Sequence, residues 1–261
     1  MTRIGKSAFT GCGSLTSATI GNNVTNIGDD TFSQCNLLTS VIIGNSVTSI
    51  GVDAFNGCTN LTSVNIPNSV TSIGNHAFYN CSGLKSVNIG SGVTSIGYSA
   101  FRGCSSLTSI FIPNSVTSIE NATFYGCSRL TSIAIGNGVK SIGDRAFYSC
   151  TSLKSIIIPN GVETIGEYAF SVCHSLKSAV IPSSVTTISS RAFHDCALSA
   201  VRVESMSPLS ILENCFSDRS SITLYVPYDS KSAYESANYW REFKEIIEGE
   251  STDDGLIFTI D

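Results

Sequence analysis

Apolar residues recur along this chain with a period of 23, which is neither the period of a helix nor that of a strand. Phe occupies every twenty-third position from Phe9 to Phe216, and Ile does so from Ile4 to Ile211. Cys keeps the same step from Cys12 to Cys196, and Leu from Leu15 to Leu176. One unit carries Leu61, Val64, Ile66, Pro67, Val70, Ile73, Gly74, Ala77, Phe78 and Cys81, with Thr, Ser and Asn filling most of the positions between. The alternation Val64, Asn65, Ile66, followed by Pro or Gly, predicts a short strand ended by a turn. Val70 to Gly74 predicts a second extended edge, and Ala77 to Cys81 a tight helical or 3₁₀ return that folds Phe78 inward. A unit of this size cannot enclose its own Leu, Val, Ile and Phe, so copies must stack and close the core from both sides. Stacked strands then pair in parallel at about 4.8 Å per coil.

The columns read Leu-x-x-Val-x-Ile-Pro-x-x-Val-x-x-Ile-Gly-x-x-Ala-Phe-x-x-Cys. Over residues 3 to 221 they resemble the BspA-like, or Treponema pallidum-type, leucine-rich repeats. The expected fold is a repeat β-solenoid: a leucine-rich-repeat-type right-handed coil of about ten units with a parallel sheet on one face, plus a small C-terminal cap. The resemblance implies secretion or attachment to the cell surface, and adhesion to host matrix proteins or other cells. It carries over no functional residue, because the family motif is all scaffold.

Departures from the columns mark irregular coils and the end of the array. Glu120 and Ser189 replace the Gly, and Thr31 and Thr123 replace the Ala before Phe. One residue is missing between Cys196 and Leu198, Cys215 takes the small slot before Phe216, and Arg219 takes the thiol slot. Residues 1–221 therefore read as the solenoid. Residues 222–250 read as a cap, with a strand over Ile222 to Pro227 and short helices over Ser232 to Ala237 and Trp240 to Ile247. Open solenoid ends need such a cover, here with Tyr234, Trp240, Phe243 and Ile247 facing the last coil. Residues 251–261 read as a linker followed by a strand, Leu256 to Ile260, that begins a further domain. The opening at Arg3, Ile4 and Gly5 falls inside a repeat and reads as a truncated start.

Charge changes the picture little. Only 13% of residues are charged, and the net charge of −5 sits in residues 229–261, which hold nine acids and three bases. The repeat body is nearly neutral and lacks the basic footprint of a nucleic-acid binder. No run of eighteen apolar residues is present, so no membrane span is expected.

Candidate chemistry is thin. Ten Cys raise disulfides or metal, but no Cys-x-x-Cys or His-x₃₋₅-His spacing occurs, so no metal site is expected. Stacking places successive Cys within reach of a disulfide, yet each interior Cys has two equivalent neighbours. The column therefore reads as buried thiols. His76, His174 and His194 fall at variable positions of different coils, and no Gly-x-Ser-x-Gly, His-Glu-x-x-His, Walker loop or Gly-x-Gly-x-x-Gly is present. No catalytic residue, cofactor or enzymatic activity is expected.

What remains is the outward face of the strands. If Val and Ile point inward, the residue between them points out; this column holds Thr19, Ile42, Asn65, Asn88, Phe111, Ala134, Ile157, Val180 and Arg202. Phe111, Ile157 and Val180, flanked by Lys154 and Lys177, make an apolar centre with a basic rim, the composition of a protein-binding patch. Lys85, Ile42 and Arg202 extend the candidate set. The alternative is that β-branched and aromatic residues simply suit a strand surface. Tyr79, Tyr98, Tyr125, Tyr148 and Tyr168 form a second exposed set on the return segments, expected to be scattered spots. The function expected is a non-enzymatic extracellular binding module for a protein or glycan, with a structural spacer for a neighbouring domain as the alternative.

Overall fold

The computed structural model describes residues 2–249; the expected linker and the strand over Leu256 to Ile260 lie outside them. Eleven strands form the long ladder: β1 Ser17–Ile20, β2 Ser40–Ile43, β3 Ser63–Ile66, β4 Ser86–Ile89, β5 Ser109–Ile112, β6 Ser132–Ile135, β7 Ser155–Ile157, β8 Ser178–Ile181, β9 Ala200–Val203, β10 Thr223–Val226 and β11 Glu245–Glu248. All pairings are parallel, and each matches a strand with the equivalent strand of the next coil. The second extended edge is itself a ladder of two-residue strands, from Arg3–Ile4 to Thr187–Ile188.

Between the ladders lies one continuous core of Leu, Val, Ile, Ala, Phe and Cys. The Phe rings stack face to face from Phe9 to Phe216, with centroids 5.2–5.6 Å apart and planes within 10° of each other. The polar columns bind coil to coil. Thr48, Thr71 and Thr94 each donate a hydroxyl to the Thr carbonyl of the preceding coil at 3.1 Å, and Asn68 and Asn114 each accept the N–H of the residue stacked next to them. These repeated hydroxyls and amides are scaffold.

The return is not a helix, contrary to the expectation of a helical or 3₁₀ turn. Isolated i to i+3 bonds close around it, such as Tyr79 N–H to the His76 carbonyl at 2.9 Å and Cys81 N–H to the Phe78 carbonyl at 3.2 Å. The alternate amides of His76, Phe78 and Asn80 instead donate to the next coil. His76 and Asn80 both sit at φ 54°, and left-handed residues at these two points cannot continue a right-handed helix.

Pairing along the long ladder follows the residue just past the fourth strand position, which in β7 is Pro159, after Ile158. Where it is Gly44, Gly90, Gly136, Glu204 or Gly249, all four residues of the strand pair with the preceding one. Where it is Pro, the pairing fails in part or altogether. At Pro67 only Ser63 of β3 pairs with β2; at Pro182 and Pro227 three pairs survive; and at Pro113 and Pro159 no pair joins β4 to β5 or β6 to β7 among the described residues. The reason is the missing donor. Gly136, Glu204 and Gly249 each donate an N–H at 2.9 Å to the last carbonyl of the preceding strand, and proline has none to give.

Past the last full repeat, α1, Lys231–Ser236, forms as expected, but Trp240 to Ile247 is not a helix. Trp240–Glu242 makes one 3₁₀ turn, and β11 then pairs in register with β10. Strand alternation turns Ile246 inward and leaves Ile247 half-buried on the outside, so the expected inward Ile247 is replaced by Ile246. Tyr234, Trp240 and Phe243 are buried against Phe216 and one another. The Trp240 indole N–H donates to the Leu209 carbonyl at 2.7 Å, and the Tyr234 hydroxyl to the Ser205 carbonyl at 2.9 Å.

Candidate binding surfaces

The alternation that buries Val64 and Ile66 leaves Asn65 in solvent, and the same pattern puts apolar side chains there in three coils. Ile42 is 63% exposed, Phe111 54% and Ile157 55%, where the core residues of the same strands, such as Val41 and Ile110, are buried. Val180 and Arg202 lie on the same face, half-buried. Register carries this column on without a break from Ile157 to Val180, Arg202, Tyr225 and Ile247. Tyr225 was not singled out from the sequence and Ile247 was expected to face inward, because both follow the last complete repeat, where no column identifies them.

Not all the expected residues come together. Lys177 donates its amide to the Lys154 carbonyl at 2.8 Å, so the two lysines, both exposed, stand on adjacent coils three residues before Ile157 and Val180. Phe111 pairs with Ala134, and the sheet is open between β6 and β7, so Phe111 stands across a gap from Ile157. Ile42 and Lys85 lie on earlier coils, away from this group.

The gap at Pro159 is a cleft of about 540 Å³ on the strand face. Ile133 and Ile135, core residues in pattern, are half-buried there, whereas Ile110 and Ile112 of the neighbouring coil are buried. Ile157, Ile158, Pro159 and Val180 continue the apolar wall, and Ser132, Asn137, Ser155, Asn160 and Glu204 give the cleft a polar side. A missing backbone donor thus converts part of a closed ladder into a recess of mixed polarity.

The tyrosines of the return face are not scattered, which corrects the expectation. Tyr79, Arg102, Tyr125 and Tyr148 share one column, the position after Phe, in four consecutive coils. The Arg102 guanidinium carbon stands 4.2 Å from the Tyr125 ring centroid and 5.8 Å from that of Tyr79. Tyr125 and Tyr148 stack at 4.8 Å, and Arg145 and Arg191 approach Tyr168 at 5.0 and 5.4 Å. Each such cation–π pair is worth about 0.5–1 kcal/mol at an exposed site. The return segment's period of 23 was the signal; reading all five tyrosines as one set hid that three of them share a column.

No catalytic constellation forms around the histidines. His76 packs edge-on to Tyr79 and Tyr98, and His174 lies 3.3 Å from Asp195 at the surface. Among the described residues no group of three or more His, Cys, Asp or Glu is placed to hold a metal, and no helix is long and apolar enough to cross a membrane. The thiols have a structural task. Cys35, Cys58 and Cys81 donate Sγ–H to the carbonyls of Phe9, Phe32 and Phe55 in the preceding coil, at 3.1–3.2 Å, and the pattern continues to Cys196. Burial pushes Cys58 and Cys127 up to about 12, and a neutral thiol is neither nucleophile nor metal ligand.

A family model described as the BspA type leucine rich repeat region, in six copies, matches residues 1–108 and 94–223. No curated protein matches the chain significantly. Among solved structures, a leucine-rich repeat protein from Bacteroides ovatus is similar at 25% identity and a TM-score of 0.70, over 94% of this chain and 76% of that one. The Treponema pallidum leucine-rich repeat protein is 29% identical with a TM-score of 0.55, over 59% of this chain and 72% of its own. A leucine-rich cell surface protein from Faecalibacterium prausnitzii shares the fold at 24% identity and a TM-score of 0.52, over 91% of this chain and 88% of its own.

Proposed function

Because the chain belongs to the BspA-type leucine-rich repeat family, we propose that it is a non-enzymatic binding module, displayed outside the cell, that engages a protein partner through its strand face. The observation that carries this reading is the outward column: Phe111 and Ile157 are each more than half exposed at positions where the same fold accepts Asn65 and Asn88. Folding does not require a large apolar side chain there. An exposed apolar group beside a recess, with the exposed Lys154 and Lys177 on the same two coils, has the composition of an interface core and rim. An adhesin role toward matrix proteins is the specific form of this proposal. It rests on the resemblance of the repeats and on the face itself.

The test is biolayer interferometry of the purified chain against immobilised fibronectin and fibrinogen, beside a Phe111→Asp, Ile157→Asp variant whose fold is verified by circular dichroism. Saturable binding that weakens at least ~10-fold in the folded variant is expected, since central apolar anchors carry most interface energy. Binding unchanged by the double substitution, or no binding to either protein, overturns the adhesin reading.

A further inference from the structure

We propose that Cys173 and Cys196 are a disulfide-forming pair, the one place in the cysteine column where two thiols join when the protein meets a small-molecule disulfide such as oxidised glutathione. The interior of the column offers no such choice. From Cys35 to Cys150 each thiol is buried and donates to a Phe carbonyl of the preceding coil, with an equivalent thiol on either side. The column ends at Cys196. In the next coil Arg219 takes the slot, donating to the Phe216 carbonyl at 3.4 Å and to the Glu242 carboxylate at 2.9 Å. Cys196 therefore has a column neighbour on one side only, Cys173, and it is half-buried where the interior thiols are buried.

Geometry brings these two sulfurs together. The Cys173 thiol is hydrogen-bonded to that of Cys196, and this contact, ahead of burial, holds it well above the ordinary 9.0. Among the described residues no other buried cysteine has a thiol as hydrogen-bond partner; Cys35, next to the exposed Cys12, donates to the Phe9 carbonyl. The coil of Cys196 differs at this point. Leu176 donates its amide to the Cys173 carbonyl at 2.9 Å, as Leu153 does to Cys150 at 3.0 Å, whereas the coil of Cys196 lacks one residue before Leu198 and shows no such bond among the described residues. The residues beside the thiols also meet, His174 Nε2 lying 3.3 Å from Asp195 Oδ2. The Phe170 and Phe193 rings of the same coils stack 5.2 Å apart, a step inside the range of about 4.4–6.8 Å that a disulfide spans between Cα atoms.

Exchange takes two steps. Cys196, the accessible sulfur, loses its proton and attacks one sulfur of oxidised glutathione; that S–S bond breaks, and one glutathione leaves and takes up a proton. Cys173 then loses its proton and attacks the Cys196 sulfur of the mixed disulfide, and the second glutathione leaves as a thiol. Two cysteines are oxidised and one glutathione disulfide is reduced to two thiols. Burial leaves Cys173 little thiolate, but its attack is intramolecular, on a sulfur already in contact, which offsets that. The product ties the last coil that carries a short strand, Thr187–Ile188, to the coil before it. Oxidants of this class belong to the space outside the cell, and the pairing is independent of what the strand face binds.

The experiment treats the folded full chain with oxidised glutathione at mildly alkaline pH, quenches with acid, alkylates the remaining thiols in denaturant and maps the tryptic peptides by mass spectrometry. Trypsin puts the competing thiols on separate peptides: Cys173 on Ser155–Lys177, Cys196 on Ala192–Arg202 and Cys215 on Val203–Arg219. The expected product is Ser155–Lys177 linked to Ala192–Arg202 in most of the protein, with Cys35 to Cys150 alkylated. In Cys173→Ala, Cys196 is expected to retain a glutathione that the native chain loses. In Cys196→Ser, whose hydroxyl can donate to the Phe170 carbonyl as the thiol does at 3.0 Å, Cys173 is expected to be alkylated. The map of the native chain decides by itself, so the test stands even where a variant fails to fold. Cys173 and Cys196 left free, glutathione retained on Cys196 of the native chain, a link from Cys196 to Cys215, or a link between any other two cysteines overturns the proposal.

Discussion

Each interior thiol donates to a Phe carbonyl of the preceding coil, a bond that alanine cannot make and that the bulk of most other donors would forbid. The Cys column was legible in the sequence as a small buried residue; its partner was not, because the acceptor lies 26 residues away and only coil geometry brings it within reach. The same burial sets a pH dependence. Cys58 and Cys127 stand at about 12 against an ordinary 9.0, with burial the largest cause, and burial lifts Cys81, Cys104 and Cys150 well above it too. The folded chain then keeps protons that the unfolded chain releases. The contribution is whole below pH 9.0 and is lost as pH rises toward the folded-state values, by about 1.4 kcal/mol per thiol per pH unit. Urea midpoints measured in reductant are expected to be level near neutrality and to fall steeply above pH 9.0; a level profile into the alkaline range contradicts this account.

The two strands per coil are fixed by local alternation and by β-branched residues, and both formed where the columns put them. The return was misread because Ala, Phe and Cys at close spacing mimic a helical turn, while the left-handed residues that break it, such as His76, Arg145 and Tyr168, are not types that announce a positive φ. Trp240 to Ile247 was misread as a helix because a strand that completes a neighbour's ladder takes its conformation from that neighbour. The Pro and Gly after each strand were read only as turn formers, yet they decide whether adjacent strands pair. Pro159→Ala restores an N–H opposite Ile135. A net hydrogen bond is worth about 1 kcal/mol, and the freer unfolded chain costs about 0.4–1 kcal/mol, so stability should scarcely change. Structure should: the expected outcome is β6 paired to β7, with Ile133 and Ile135 buried. A crystal structure of the variant with the recess still open contradicts the donor argument.

At the scale of the whole array, two departures fall on one junction. Pro113 stands where β4 fails to pair with β5, and Glu120 where the short strand Ser95–Ile96 fails to pair with Ser118–Ile119. A Cβ on the neighbouring Gly97 or Gly143 would lie under 3.0 Å from backbone, which shows how little room this column leaves for the Glu120 side chain stem. The junction is held on the return side by Ser99, Phe101 and Gly103 amides, at 2.8–3.0 Å, and the Phe101 to Phe124 ring spacing, 5.6 Å, is the widest of the stack. In a quasi-one-dimensional array such an interface is where cooperativity divides. Native-state hydrogen exchange should find the amides of β4 and β5 exchanging faster than those of β8 and β9, and uniform protection along the array would be incompatible with a seam. Periodicity made the architecture legible; the seam and the recess were not, because they arise from bonds that fail between coils.

The claim that the strand face is the working surface is tested most directly by differential hydrogen exchange of the chain with and without saturating fibronectin or fibrinogen, whichever it binds. The account predicts added protection over β6, β7 and β8, around Ile157 and the recess at Pro159. Protection confined to the return segments, or to the short-strand ladder, would contradict it.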